Sequence, residues 1–306
     1  MKKYLVNLLI SIVTLFFCFF TAEIYFRYFY SESDGLGITL AHKKWGDKYW
    51  KPMNSLGFRD KEWSNKDLVG KKVIEVIGDS FVAGHGIKNI GDRFPDILAK
   101  KLGSEFAILN ISNPGWGTKT ELFVFKYFPL MPDYVIWSYF PNDILGVARK
   151  YGRSPPYEVT IPKGLLGNII NSSYFLNYCY WNIFRITKLS DEYSKWLQEL
   201  YADPAIWNVH KEELELVCEL AKSKKTKLIV ILFPFLTKKV KSDLILDKVK
   251  EIFKNNNVPV LDVSTIINNL KEHELTVSKI DAHPSIIVHK LVSESLYDIV
   301  LNPIKE

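Results

Sequence analysis

The chain has 306 residues, of which 47% are hydrophobic and 24% charged, and this is enough apolar sequence to bury a full-sized core. The composition excludes an intrinsically disordered chain. The formal net charge is +6, but the lysines are scattered and form no dense basic run with interleaved aromatics, so no nucleic-acid partner is expected. The three cysteines lack metal-site spacing and exclude a disulfide framework, leaving at most one Cys179–Cys218 bridge.

The amino-terminal segment is apolar enough to cross a membrane. Residues 4–30 are nearly all apolar, and a helix that rises about 1.5 Å per residue would exceed a hydrocarbon core of about 30 Å. Lys2 and Lys3 precede this run, and the positive-inside rule then places the amino terminus in the cytoplasm. We therefore predict that residues 1–30 form a single-pass anchor in the cytoplasmic membrane, with the rest of the chain on the extracytoplasmic side. The alternative, a cleaved signal peptide, is disfavoured because no small-x-small cleavage site follows the run.

The remainder divides into a strap and a domain. Residues 31–70 are polar and turn-rich, which predicts a linker and an irregular strap, whereas residues 71–306 alternate between strand-like and helix-like segments. Such alternation requires a parallel sheet covered by helices on both faces, so we predict an α/β domain with a five-stranded, three-layer α/β/α sandwich. Residues 145–207, rich in Tyr, Trp and Phe, interrupt the alternation as a helical insertion. The predicted strands are Val73 to Ile77, Phe106 to Asn110, Tyr134 to Phe140, Leu228 to Phe233 and Val258 to Asp262. The predicted helices are Phe94 to Leu102, Thr118 to Phe128, Lys211 to Lys222, Ser242 to Asn255 and Ser285 to Leu301.

Residues that could take part in catalysis follow several of these strands. Ser80 comes directly after the first strand, at the edge where open α/β sheets bind ligands. Asn142 follows the third strand, and His283 precedes the last helix. Each is a weak signal alone, since such a serine usually caps a helix and a lone histidine is usually structural. Together with a glycine-containing loop after the second strand, they supply the hydroxyl, the base and the N–H donors of an acyl-transfer site.

Four blocks in this order resemble the signature of the SGNH/GDSL hydrolases, over roughly residues 70–302. They are Gly78-Asp79-Ser80, Asn110 to Gly115, Asn142-Asp143 and Asp281 to Pro284. The segment Asn54 to Arg59 also resembles the strap of membrane-anchored members. This resemblance implies a flavodoxin-like sheet.

The resemblance also implies a role for each matching residue. Ser80 would be the nucleophile, and His283 would be the base oriented by Asp281. The Ser80 backbone N–H, Gly115 and Asn142 would form the oxyanion hole. No His/Asp/Glu cluster has metal spacing, so neither a metal nor a cofactor is predicted.

Three alternatives remain open at this point. Only Ala282 separates Asp281 from His283, whereas the family has two intervening residues, so a backbone carbonyl is an alternative partner for the imidazole. Gly117 is the alternative to Gly115. His85 is the rival base, although its two flanking glycines favour a flexible loop.

The predicted function is that of a membrane-anchored serine esterase acting on ester-linked acyl groups, foremost acetyl, of cell-envelope glycans or lipids. One alternative is an O-acyltransferase that uses the same site, because the motifs do not encode the acyl acceptor. The motifs do not encode an oligomeric state either. A second alternative, from another class, is a non-catalytic domain that binds a glycan or a membrane partner on the same fold.

Overall fold

The computed structural model describes residues 2–156, 159–188, 192–237 and 242–301. These residues belong to two compact units. The first comprises Met1–Lys48 and Tyr157–Ser190, and the second comprises Tyr49–Pro156 and Asp191–Glu306.

The secondary-structure elements are numbered here in chain order. The strands are β1 (Lys72–Gly78), β2 (Phe106–Ser112), β3 (Tyr134–Tyr139), β4 (Lys227–Leu232), β5 (Val260–Asp262), β6 (Thr276–Ser278) and β7 (Asp281–Pro284). The α-helices are α1 (Lys2–Ile24), α2 (Leu40–Tyr49), α3 (Asn65–Leu68), α4 (Ser80–Ala83), α5 (Phe94–Leu102), α6 (Thr118–Tyr127), α7 (Leu145–Lys150), α8 (Gly164–Ser172), α9 (Tyr174–Lys188), α10 (Glu192–Ala202), α11 (Pro204–Ser223), α12 (Asp243–Asn255), α13 (Val263–Ile267), α14 (Glu272–Leu275) and α15 (Ile286–Leu301). A π-helical turn (Tyr25–Phe29) and two 3-10 turns (Ile90–Asp92 and Pro141–Ile144) complete the set.

A parallel sheet forms the centre of the second unit. Its strand order is β2-β1-β3-β4-β5, and every neighbouring pair is parallel. This confirms the predicted five-stranded sheet, and the order is the flavodoxin-like one. Gly78 pairs with Ser112 at the carboxyl ends of β1 and β2, and Tyr139 pairs with Leu232 at those of β3 and β4. The loops that follow these strands therefore start from one edge of the sheet.

The sheet is buried on both faces because alternate side chains of each strand point in opposite directions. Val76 and Ile136 belong to a buried cluster that includes residues of α5 and α15. Ile77 and Trp137 belong to a second cluster that includes residues of α6, α11 and α12. These two layers of helices around one sheet confirm the three-layer α/β/α sandwich.

The helical elements agree with the sequence patterns, with one extension. Helix α11 begins at Pro204, seven residues before the predicted start at Lys211. Proline is favoured in the first turn of a helix, and the side chain of Asp203 caps this end by accepting a hydrogen bond from the N–H of Ala205 at 3.0 Å. The described residues of the insertion 145–207 form α7 to α10 and the start of α11.

A small antiparallel pair is absent from the sequence prediction. Strands β6 and β7 pair with each other, so Asp281 to Pro284 is extended, whereas the sequence showed no strand before the last helix. Helix α15 begins at Ile286, one residue after the predicted start at Ser285. Strands of three and four residues are too short to show a periodicity of two.

The first unit contains the apolar amino-terminal helix. Residues Lys2–Phe29 form the one helix among those described that is long and apolar enough to cross a membrane, with a mean hydropathy of 2.4. Near its end, Glu23 accepts hydrogen bonds from the Ser173 hydroxyl (2.7 Å) and from the Phe175 backbone N–H (3.0 Å). Arg27 pairs with Glu23 and donates to the Ser172 carbonyl at 2.9 Å. A carboxylate at the end of α1 thus caps the amino terminus of α9.

A buried carboxyl in β1 makes stability depend on pH. Glu75 lies in β1 with no exposed surface, and neither of its oxygens has a hydrogen-bond partner among the described residues. Burial raises the pKa of Glu75 from 4.5 to about 8. Between these two values the unfolded chain ionises and the folded chain does not, so the folded state loses stability as pH rises.

We predict that Glu75→Gln removes this dependence, since the amide keeps the shape of the protonated carboxyl. At pH 5 the variant and the wild type should have similar free energies of unfolding. At pH 9 the variant should be more stable, by up to about 5 kcal/mol for a shift of this size. Thermal unfolding of the detergent-solubilised chain at both pH values measures the difference, and an equal difference at pH 5 and pH 9 would contradict it.

Candidate active site

Ser80 lies in the turn from β1 into α4. The carboxylate of Asp79 accepts a hydrogen bond from the backbone N–H of Phe81 at 2.8 Å and closes this turn. Gly78 is required by close packing, because a Cβ there would lie 2.5 Å from Val82 Cγ2 and 2.9 Å from Ser138 Cβ. The turn presents Ser80 at the carboxyl edge of the sheet, with 8% of the residue exposed.

Ser80, His283 and Asp281 form a hydrogen-bonded row. The Nε2 atom of His283 lies 2.9 Å from Ser80 Oγ, and its Nδ1 atom lies 2.6 Å from Asp281 Oδ1. Asp281 is fully buried, and a carboxylate next to Nδ1 holds the proton there and leaves the Nε2 lone pair for the serine hydroxyl. The row is the arrangement of an activated oxygen nucleophile.

The short Asp-x-His spacing follows from the strand β7. Side chains at positions i and i+2 of a strand lie on the same face, which brings the carboxylate of Asp281 beside the imidazole of His283. The same Asp281 oxygen also accepts the backbone N–H of His283 at 3.2 Å. The partner of Nδ1 is therefore the carboxylate, and not the backbone carbonyl considered as the alternative.

The residues expected at the oxyanion hole follow β2 and β3. Gly115 lies in the turn after β2 with φ of +80°, and no other group lies within 4 Å of the position of a Cβ. Gly117 precedes α6, and a Cβ there would lie 2.9 Å from the carbonyl oxygen of Asp143, so its small size serves packing. Asn142 lies in the turn after β3, and its Oδ1 is buried without a partner among the described residues.

Three buried carboxyl groups lie on the elements that form this edge: Asp79, Glu121 and Asp143. Burial raises the pKa of Asp79 to about 6. Burial also raises the pKa of Glu121 well above its usual value, and the charge of Asp79 adds to this effect. The pKa of Asp143 is raised in the same way, by burial and then by Glu121. All three groups therefore keep their protons to a higher pH than exposed carboxyl groups do.

His85, the rival base, lies next to the carboxylate instead of taking the position of His283. Its Nε2 atom is 3.8 Å from Asp281 Oδ2, and its ring stacks on the His283 ring at 4.1 Å and 23°. One ligand atom from each of His85, Asp281 and His283 lies within 4.8 Å of the others. An imidazole binds a metal in its own ring plane, and two nearly parallel stacked rings do not direct both lone pairs at one ion. This arrangement does not favour a metal site.

A buried arginine of the strap was not identified from the sequence. Arg59 donates to the carbonyl oxygens of Gly84 and Ile87, both at 2.7 Å, and of Tyr49 at 2.8 Å. Burial, followed by the charge of Arg93, lowers the pKa of Arg59 to about 9, so it stays charged near pH 7. The strap thus holds the loop that contains His85. The resemblance of the segment Asn54 to Arg59 to a strap was the only sequence signal for this residue. The contacts of Arg59 join residues far apart in the chain, and a local sequence pattern does not reveal them.

Two other histidines of this unit are buried in structural surroundings, and a third is exposed. His210 lies 2.9 Å from the Tyr139 hydroxyl, and burial lowers its pKa. His289 accepts the backbone N–H of Phe94 at 3.2 Å, and burial lowers its pKa to about 3. His273 is exposed. All three cysteines are free thiols, so the bridge left open by the sequence is not formed.

Comparisons with known proteins find similarity only among solved structures. No protein-family model matches the chain, and no curated protein matches it. A lipase/acylhydrolase from Enterococcus faecalis is 17% identical over 76% of this chain and 97% of its own, with a TM-score of 0.47. A member of the lipolytic protein G-D-S-L family from Veillonella parvula DSM 2008 is 15% identical over 76% of this chain and 100% of its own, with a TM-score of 0.43. A carbohydrate acetylesterase family member from Sinorhizobium meliloti is 13% identical over 75% and 97%, with a TM-score of 0.43. The function proposed below rests on the geometry of the site itself.

We predict that Asp281→Asn suppresses the reactivity of Ser80. An amide at this position donates to Nδ1, which moves the imidazole proton to Nε2 and removes the base from the serine hydroxyl. Phosphonylation of Ser80 by a fluorophosphonate should slow by about 10⁴-fold. The time course of labelling measures the rate, with Asp298→Asn, an exposed aspartate of α15, as the matched control. Labelling of Asp281→Asn at the rate of this control would show that the carboxylate does not orient the imidazole.

Proposed function

We propose that the chain is a membrane-anchored serine hydrolase of the SGNH/GDSL type that cleaves ester-linked acyl groups, foremost acetyl. The observation that carries the proposal is the row from Ser80 through His283 to Asp281 at the carboxyl edge of the parallel sheet. The row combines a hydroxyl, a base with a free lone pair and a buried carboxylate. A non-catalytic binding domain has no need for this combination.

The proposed reaction proceeds through an acyl-enzyme. His283 Nε2 takes the proton of Ser80 as Oγ attacks the ester carbonyl, and Asp281 stabilises the imidazolium. The backbone N–H groups of Ser80 and Gly115 and the side-chain amide of Asn142 donate to the oxyanion, each contributing on the order of 3 kcal/mol. The imidazolium then protonates the leaving alkoxide. Water, deprotonated by the same imidazole, releases the acid and restores Ser80.

We predict that p-nitrophenyl acetate is turned over and that Ser80→Ala lowers kcat by about 10⁴-fold or more, because the nucleophile is lost. Release of p-nitrophenol by the purified full chain in detergent measures kcat and KM. Ser104→Ala, which changes an exposed serine of the same unit, is the matched control and should equal the wild type. Equal turnover by the Ser80→Ala and Ser104→Ala variants would contradict the proposal and favour the binding-domain alternative.

The proposed natural substrates are acylated glycans or lipids of the cell envelope, because of the proposed location of the site. Transfer to a sugar hydroxyl would use the same acyl-enzyme, with that hydroxyl in place of water. Adding an oligosaccharide to the esterase assay separates the two reactions. An acylated oligosaccharide formed at the expense of free acetate would identify the transferase.

We also propose that the apolar helix is retained as a single-pass anchor of the cytoplasmic membrane, with the amino terminus inside. At its end, Glu23 and Arg27 form hydrogen bonds with Ser173 and Ser172 of the same unit. The ring of Phe19 contacts the ring of Phe175, with centroids 5.8 Å apart. Cleavage within this helix would remove some of these contacts. These contacts support an anchor over a cleaved signal peptide.

We predict that alkaline phosphatase fused after Glu306 is active in cells, since this reporter folds only outside the cytoplasm. A green fluorescent protein fused at the same position should be dark when it is exported through the Sec pathway. The fusion should sediment with membranes and keep its full length. A fluorescent fusion would refute the proposed orientation, and a shortened, soluble phosphatase fusion would identify a cleaved signal peptide.

A further inference from the structure

The loop that follows the nucleophile brings a second imidazole to the catalytic row. His85 is buried, with 7% of the residue exposed, and its ring stacks on that of His283 with centroids 4.1 Å apart. Its Nε2 atom faces the Asp281 oxygen that His283 does not use, at 3.8 Å. One carboxylate thus lies between two imidazoles. This distance is too long for a hydrogen bond but is within the range of an electrostatic contact.

We propose that His85 is a positioning residue of the row, which fixes the His283 ring by stacking against it and shares the charge of the Asp281 carboxylate. This inference rests on the proposed function and adds a fourth member to the site. His85 acts through His283 and Asp281, and not on the substrate.

The loop that carries His85 is held rigidly, in contrast to the flexible loop that its glycines suggested. Gly86 has φ of +82°, and a Cβ there would lie 2.6 Å from Val277 Cγ2 and 2.8 Å from Asp281 Oδ2. The backbone N–H of His85 donates to the Ser80 carbonyl at 3.0 Å. The glycine therefore allows the loop to pack directly against the strand that carries Asp281.

Two residues of the strap, Trp50 and Arg59, surround His85 further. Trp50 contacts the ring edge-on at 6.2 Å, and the Arg59 guanidinium lies over Trp50 at 4.7 Å. Arg59 also bonds the carbonyls of Gly84 and Ile87, on both sides of His85. Asp281 and His283 are two ionisable groups in contact with His85, and Arg59 lies beyond the indole. The imidazole is thereby fixed next to the row.

The charge effect of His85 has a definite sign. A donor or a cation beside Asp281 takes up part of the carboxylate's charge, and less of that charge stabilises the His283 imidazolium. Removing the imidazole returns the share of the charge that it took up, which favours the His283 imidazolium. The acid limb of the pH profile of kcat/KM, which reports the free base, should then move to higher pH.

The test compares His85→Phe and His85→Ala with His273→Ala, which removes an exposed histidine of the same unit. Phenylalanine keeps a ring to stack on His283 but has no nitrogen to face Asp281. We expect the acid limb to rise by about 0.5 to 1 pH unit in both His85 variants. We expect kcat to fall about tenfold in His85→Ala with KM within twofold, and to recover most of this loss in His85→Phe. The control should match the wild type.

Two outcomes distinguish this inference from the function on which it rests. If turnover depends on Ser80 and the acid limb of folded His85→Phe coincides with that of the control, only the inference on His85 is overturned. If His85→Ala fails to fold, His85→Phe, which keeps most of the buried volume, decides the question alone. If Ser80→Ala keeps full turnover, the proposed function and the inference are overturned together.

Discussion

The hydrogen bond between the buried carboxylate of Asp281 and His283 Nδ1 is the interaction on which the proposed chemistry depends. Without it the imidazole has no fixed tautomer and no fixed direction, and Ser80 is an ordinary hydroxyl. An isolated buried carboxylate would be costly. Here it has the imidazole and a backbone N–H of His283 on one oxygen and His85 beside the other. The partners that make the burial tolerable are the same groups that orient the base.

The sheet supplies the fixed positions that this interaction needs. Five parallel strands, buried on both faces, bring the end of β1 and the turns after β2 and β3 to one edge. Gly78 lets α4 pack closely on the sheet, which defines the direction of the Ser80 side chain. The base comes from outside the sheet, on the short pair of β6 and β7. The row therefore joins a rigid central element to a small peripheral one, and the contacts of His85 with Asp281 and His283 strengthen this junction.

The sequence predicts the central sheet well because buried parallel strands are continuous β-branched and aromatic runs. It also predicts Ser80, since a serine directly after such a run must lie at the carboxyl edge. The pair of β6 and β7 was missed because its strands have three and four residues. For the same reason the Asp-x-His spacing looked anomalous, although in a strand it places both side chains on one face. The position of His85 depends on contacts with residues almost two hundred positions away, which no local pattern encodes.

The central claim is that Ser80 and His283 act as one catalytic unit, and a comparison of single and double variants tests it most directly. The residual kcat for p-nitrophenyl acetate is measured for Ser80→Ala, His283→Ala and the chain carrying both changes. Residues that act together are grossly non-additive, so the three values should agree within about threefold. A double variant whose loss equals the product of the two single losses would show that the hydroxyl and the imidazole act independently, and would contradict this account.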